Sequence, residues 1–271
     1  ECRLYSVTRK KMPAGRVYHL SMSSTPGLER RVALVTGAAR RVGAEIATHL
    51  HAAGADVGIH YRPSADDAEA LAARLNGRRP GSATTFQADL QDTAVIPALV
   101  SAVTGWHGGI DIHVNNASTF YPTPLGDITD AHWNDLVGSN LKAPLFLSQA
   151  AAPGLRERHG SIVNIVDIHA QRPLRNHLVY GSAKAGLAML TRALAKELAP
   201  EVRVNGVSPG AILWPEGDMS DESKASILEQ VPLARAGDPA DIAGCVLYLV
   251  RDATYVTGQI VAVDGGRSIG W

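Results

Sequence analysis

Arg31-Val32-Ala33-Leu34-Val35-Thr36-Gly37-Ala38-Ala39-Arg40-Arg41-Val42-Gly43 is the stretch on which the architecture turns. Its first six residues form a short apolar run, and the residues from Gly43 to Ala53 carry a helical pattern. Between them lies a turn built of small residues. At the end of a first strand, such a turn lets backbone amides approach a pyrophosphate, and the helix N-terminus favours the negative charge. An ordinary strand-to-helix turn has the same local appearance, so the reading depends on the rest of the chain.

From Asp56 onward the chain alternates regularly. Strand candidates occupy Asp56–Tyr61, Ala83–Ala88, Ile110–Val114, Ile162–Val166, Val202–Val207 and Ile260–Val263. Helical patterns occupy Ser64–Asn76, Thr93–Val103, Asp130–Arg158 with a kink expected at Pro144, Leu178–Ala199 and Pro239–Val250. Short apolar strands alternating with helices predict an α/β fold, a single doubly wound parallel sheet with helices on both faces. The segment Ile212–Val231 has no clear pattern.

Composition sets the outer bounds. The chain has 271 residues, 45% of them hydrophobic, and a formal net charge of zero. That suits one sizeable domain and gives no reason to expect a nucleic acid or an anionic membrane as partner. Two cysteines, Cys2 and Cys245, make neither a disulfide framework nor a metal motif, which predicts a reducing, cytoplasmic setting. No apolar run reaches bilayer-spanning length. The ten histidines lack a metal-binding arrangement, so no metal is expected. Residues 1–28 are basic, without strong periodicity, and are expected to be a tail outside a single domain over 29–271.

Chemistry concentrates between Asp167 and Lys184. Tyr180 and Lys184 stand four apart on a helical pattern and therefore project together. A fixed positive charge beside a phenol favours its phenolate, which predicts a Tyr180 tuned by Lys184 toward proton transfer near neutral pH. Asp167 closes the preceding strand, where sheet enzymes place reactive groups. At the end of the second strand, a carboxylate holding the ribose would mark NAD. Here the chain reads His60-Tyr61-Arg62-Pro63-Ser64, with no acid before Asp66. Together with Arg40, these residues suit a ribose phosphate and favour NADP. Asp89-Leu90 and Asn115-Asn116-Ala117-Ser118 come after the third and fourth strands, where they either meet a ligand or cap helices. Asn140 sits inside a helical pattern, with a functional and a solvent-facing role equally open.

These residues together resemble the short-chain dehydrogenase/reductase family from Arg31 to Ile269. The matching pieces are Thr36-Gly37 with Gly43, Asn115-Asn116-Ala117, Asn140, Tyr180 with Lys184, Pro209-Gly210, and Val256-Thr257-Gly258 with Val263-Asp264-Gly265-Gly266. The resemblance implies a Rossmann-type domain, a nicotinamide cofactor and usually a homotetramer. Its cofactor contacts fall on Gly37, Arg40, Arg41, Val42, His60, Tyr61, Arg62, Ser64, Asp89, Leu90, Asn116, Ala117, Ser118, Tyr180, Lys184, Pro209 and Gly210. Two departures narrow it: Arg41 stands where the family usually has glycine, and Asp167 where it has a serine. Both are similar to pteridine reductases, as is Ser118-Thr119-Phe120-Tyr121-Pro122. That resemblance implies Asp167, Tyr180 and Lys184 as the catalytic set, and Arg41, Ser118, Phe120 and His177 around the substrate, with Phe120 stacking on a pterin. His177 replaces a tyrosine found in some of these enzymes, which implies a preference for bacterial-type dihydropterins. The expected function is NADPH-dependent reduction of a dihydropterin. A carbonyl reductase of 3-oxoacyl or sugar substrates, or a non-catalytic NADP-binding sensor, are the alternatives.

Overall fold

A computed structural model of the chain describes residues 27–214 and 219–269. The tail up to Pro26, and Pro215 and Glu216 of the segment without clear pattern, lie outside the described residues. Seven strands, β1 (Val32–Val35), β2 (Asp56–Tyr61), β3 (Ala83–Gln87), β4 (Ile112–Asn115), β5 (Ser161–Ile165), β6 (Arg203–Pro209) and β7 (Ile260–Val263), form one sheet in the order β3-β2-β1-β4-β5-β6-β7. Every pairing is parallel. The order reverses between β1 and β4, and that crevice is where a doubly wound Rossmann-type sheet receives its ligand.

The sequence explains the layering. Within β1, Val32 and Leu34 face one side and Ala33 and Val35 the other, as the period of two requires. The first side packs on helices α3 (Ile96–His107), α5 (Ala143–Glu157) and α6 (Leu178–Leu198) through Leu99, Leu147, Leu155 and Leu198. The second packs on α1 (Arg41–Ala52), α2 (Ala65–Asn76) and α8 (Pro239–Arg251) through Ile46, Leu50, Leu75 and Val246. Each fully buried aliphatic side chain contributes roughly 1.5–3 kcal/mol. Leu28 also packs into this second core and donates its N–H to the Ala53 carbonyl. The two remaining helices are α4 (Asp130–Val137) and α7 (Asp221–Glu229), the latter inside the segment that carried no pattern.

Three boundaries differ from expectation for local reasons. Asp92 caps a short 3-10 turn, and Pro97 can occupy only the first turn of a helix, so α3 starts at Ile96; Gly108, at φ 77°, ends it. The pattern over Asp130–Arg158 is two helices rather than one. The break is not a kink at Pro144, which sits harmlessly at the start of α5, but a π-helical turn over Gly138–Lys142. Such turns displace one carbonyl from the helical ladder and often mark functional positions. Among the described residues, no helix is long and apolar enough to cross a membrane.

Candidate active site

The glycine turn is wired to the sheet from three directions. The Thr36 hydroxyl accepts the N–H groups of Asn116 (2.9 Å) and Ala117 (3.0 Å). The Asn116 amide donates to the carbonyls of Thr36 (2.8 Å) and Gly37 (3.0 Å). The Gly37 N–H donates to His60 Nδ1 at 3.1 Å. Gly37 has φ +60°, and a Cβ there would stand 2.9 Å from the Ala117 Cα; a Cβ on Gly43 would overlap the Gly37 carbonyl. Arg41 also adopts a left-handed φ of 55°, which gives the backbone reason why glycine suits this place.

This turn opens onto a cleft of about 380 Å³ lined by Gly37, Arg40, Arg41, Val42, Gly43, His60, Tyr61, Arg62, Ser64, Asp89, Leu90, Asn116, Ala117 and Ser118. Helix α1 begins there with no side-chain cap and no acid in its first turn. Its first amides thus have neither an intrahelical acceptor nor a side-chain cap, and together with the helix dipole they favour an anion there. At the far end, Arg40 and Arg62 stand half-exposed, loosely paired with Asp67 (3.5 Å) and Asp89 (3.7 Å). Ser64 precedes α2 without spending its hydroxyl on a cap. These residues fit a dinucleotide.

Several expected contacts take other roles. His60 is no phosphate ligand: it accepts from Gly37 on Nδ1, and its Nε2–H donates to the Ala88 carbonyl at 3.1 Å. Burial pushes its pKa down to about 4, so it props the turn as a neutral ring. Tyr61 and Leu90 border the cleft but bury most of their side chains in the two cores. Pro209 and Gly210 end β6 outside the cleft lining; Gly210 packs against Asp264, where a Cβ would stand 2.6 Å from the aspartate's own. Asn115 neither caps a helix nor meets the cleft, being buried within the sheet.

At the end of β5 the reactive groups do converge. Tyr180 donates its hydroxyl proton to Asp167 Oδ2 at 2.7 Å, and Asp167 Oδ1 accepts the His169 N–H at 2.8 Å. Lys184 donates to the Ile165 carbonyl at 2.9 Å and lies 5.7 Å from the Tyr180 ring centroid. The expected tuning runs the other way here. Burial first, and then the Asp167 charge, raise the Tyr180 pKa well above its ordinary value. Burial also lowers Lys184 to about 8, against the opposing pull of Asp167. Tyr180 is thus a firmly protonated donor. Its oxygen is also reached by Ser118, whose hydroxyl donates to Asn140 Oδ1 at 2.7 Å. Asn140 is fully buried in the π-helical turn and donates to the carbonyls of Thr119 and Leu136, both at 2.9 Å, so a solvent-facing role is overturned.

Above this pair stands an aromatic group. Phe120 is 44% exposed, stacks on His177 (4.7 Å, 16°) and meets Tyr180 edge-on (4.8 Å, 79°). His177 is held by its Nδ1 contact to the Arg175 carbonyl at 2.8 Å, so the ring backs Phe120 rather than standing free. Arg41 reaches across and donates to the Trp214 carbonyl at 3.0 Å. Arg267, from the loop after β7, lies within electrostatic reach of Asp167. Sequence reading missed it, because nothing local relates a residue after the last strand to one after the fifth. Among the described residues no cluster of His, Cys, Asp and Glu could hold a metal ion.

A family model described as Enoyl-(Acyl carrier protein) reductase matches residues 37–268. The chain is 42% identical over 279 residues to Pteridine reductase 1 of Leishmania tarentolae, covering 88% of this chain and 96% of that one. It is 37% identical over 238 residues to a 3-oxoacyl-acyl-carrier-protein reductase of Staphylococcus aureus, covering 86% and 96%. An uncharacterized oxidoreductase of Mycobacterium tuberculosis is 38% identical over 246 residues, covering 88% and 92%.

Proposed function

Because the chain belongs to the short-chain dehydrogenase/reductase family and is an oxidoreductase, we propose that it reduces a dihydropterin with NADPH. The observation that carries this reading is the 2.7 Å contact between Tyr180 and Asp167 beneath the exposed Phe120 ring. A ketone oxygen gaining charge suits hydroxyl donors. A pterin ring instead carries a C=N bond that takes hydride at carbon and a proton at nitrogen, and its flat face suits stacking on an aromatic ring.

NADPH, when bound, supplies the hydride; family reductases use nicotinamide cofactors. The turn amides and the start of α1 hold its pyrophosphate, and Arg40, Arg62 and Ser64 its extra phosphate. Lys184 anchors the ribose. Phe120 and Arg41 orient the pterin. Tyr180 gives its proton to the ring nitrogen, and its raised pKa keeps that proton in place until the nitrogen becomes basic enough to take it. Asp167 fixes the phenol and passes a replacement proton from solvent. Lys184 and Arg267 offset the negative charge that develops while Tyr180 is ionised.

The test is NADPH oxidation with a dihydropterin and, in parallel, with a 3-oxoacyl thioester, the second reading being favoured by the 37% identical relative. Turnover on the pterin, lost in Tyr180→Phe with NADPH binding retained, supports the proposal. Turnover on the thioester alone, or an active Tyr180→Phe, refutes it. Comparing NADPH with NADH, and repeating the comparison in Arg62→Glu, tests cofactor choice: a preference for NADPH that this variant leaves unchanged counts against the phosphate pocket.

A further inference from the structure

Beneath the reactive centre, away from the cleft, five polar side chains meet inside an otherwise apolar layer. They are His113 and Asn115 on β4, Asn164 on β5, Ser148 on α5 and Thr191 on α6. None is more than 3% exposed. Buried polar groups cost free energy unless they are hydrogen-bonded, and here they bond in series. Thr191 Oγ1 donates to the Leu187 carbonyl (2.8 Å), so it accepts from Asn164 Nδ2 (2.9 Å). Asn164 Oδ1 then accepts from Asn115 Nδ2 (2.8 Å), and Asn115 Oδ1 from His113 Nε2–H (2.9 Å). The second proton of the Asn115 amide points to Ser148 Oγ at 3.4 Å. Along the series from Thr191, every donor points the same way, which orients both amides and places the His113 proton on Nε2; His113 Nδ1, at the far end, has no hydrogen-bond partner among the described residues.

The series ends on the helix that carries the proton donor. Tyr180, Lys184 and Thr191 all face β5 from α6. Tyr180 meets Asp167 (2.7 Å), Lys184 the Ile165 carbonyl (2.9 Å) and Thr191 the Asn164 side chain (2.9 Å). The first two ties lie in the reactive centre; the third is outside it and leads to β4. Around it, Leu147, Ile162, Leu187 and Leu198 pack without directional preference. Aliphatic packing tolerates small slides of a helix along a sheet, whereas directional hydrogen bonds such as Asn164 to Thr191 favour one arrangement.

We propose that Thr191 and Asn164, backed by Asn115 and His113, are positioning residues that set where α6 sits along β5, and so hold Tyr180 at transfer distance from Asp167. None of the four lines the cleft. They act through the helix. The inference rests on the reading of Tyr180 and Asp167 as the proton pair.

The experiment compares Thr191→Val, which keeps the shape and removes the acceptor, with Thr191→Ser, which restores it. Kinetics are measured well below the melting temperature of each variant. Thr191→Val lowers kcat with the dihydropterin by about tenfold to a hundredfold, the scale of a small misplacement of reacting groups. KM for the pterin and Kd for NADPH stay within about twofold, and Thr191→Ser recovers most of the lost kcat. A lower melting temperature with unchanged kcat overturns the proposal, since the network then only stabilises the fold. If Thr191→Val does not fold, Thr191→Cys, of similar volume and with weaker hydrogen bonding, takes its place under the same criteria. An active Tyr180→Phe overturns the parent reading. A dead Tyr180→Phe beside a fully active Thr191→Val overturns this inference alone.

Discussion

Acidification from pH 7.5 to pH 5 should weaken the fold through two buried imidazoles rather than through its carboxylates. His60 and His113 are 2% and 0% exposed. Burial holds both pKa values at about 4 instead of 6.5. Their folded values lie below the unfolded one. The unfolded chain therefore takes up protons first as pH falls, and the stability present above pH 6.5 is lost progressively toward pH 4. At ~1.4 kcal/mol per unit, each ring accounts for about 3 kcal/mol over the whole window and about 2 kcal/mol by pH 5. The loss of about 4 kcal/mol at pH 5 is a large part of the roughly 5–15 kcal/mol that holds a typical domain together. His51, lowered by burial and then by the charges of Arg79 and Arg78, adds in the same direction. The assay is urea unfolding at pH 7.5, 6.5, 6.0, 5.5 and 5.0, in wild type and in His113→Leu. The wild type should lose nearly two protons' worth of slope, about 2–3 kcal/mol per pH unit near pH 5. The variant starts less stable but loses less per unit, because one of the two rings is gone. An unfolding free energy that stays flat from pH 7.5 to 5, or identical slopes in the two proteins, refutes the argument.

Three further outcomes rest on the geometry. Gly43→Ala places a methyl against the Gly37 carbonyl and the Asn116 amide; NADPH affinity, read by fluorescence titration, should fall at least about tenfold as the turn shifts. Lys184 has a pKa of about 8 before a ligand binds, so Kd for NADPH should weaken as pH rises through 8, and Lys184→Met should bind weakly with little dependence over that range. Asp111, 2% exposed, holds Arg31 (2.7 Å), Arg158 (2.9 Å) and the Val32 N–H (2.9 Å) at the opposite end of the sheet. Asp111→Ala should cost about 1–3 kcal/mol in urea unfolding and leave NADPH affinity unchanged, because the Val32 N–H loses its buried acceptor while the partly exposed Arg31 and Arg158 turn to water, all of it remote from the cleft.

The layer architecture was legible because it rests on periodicity. Strands such as Asp56–Tyr61 and Ile260–Val263 fall where the apolar runs place them. Tyr180 and Lys184 were legible because helical spacing is a local property, and Asp167 because strand ends collect reactive groups. What the sequence hid is orientation and long-range approach. His60 lies close to Arg62 in the chain, yet its ring turns inward to the glycine turn, which only the folded sheet brings beside it. The upward shift on Tyr180 was missed because an i+4 lysine is visible in a sequence, whereas burial and the reach of an aspartate are not. The π-helical turn at Gly138–Lys142 has no composition of its own. It arises where Asn140 turns inward to bond Thr119 and Ser118.

The bracing of the glycine turn bears on how fast a nucleotide is captured. Thr36, Asn116 and His60 hold the turn shut with protein atoms alone. These bonds fix the turn independently of any ligand atom, so the turn itself should need little rearrangement to receive a nucleotide. Its capture should be a single diffusive event whose observed rate climbs in proportion to nucleotide concentration, without a plateau. Arg40 and Arg62 at the rim make that rate sensitive to salt. On that expectation, the slow steps of the cycle should fall after capture.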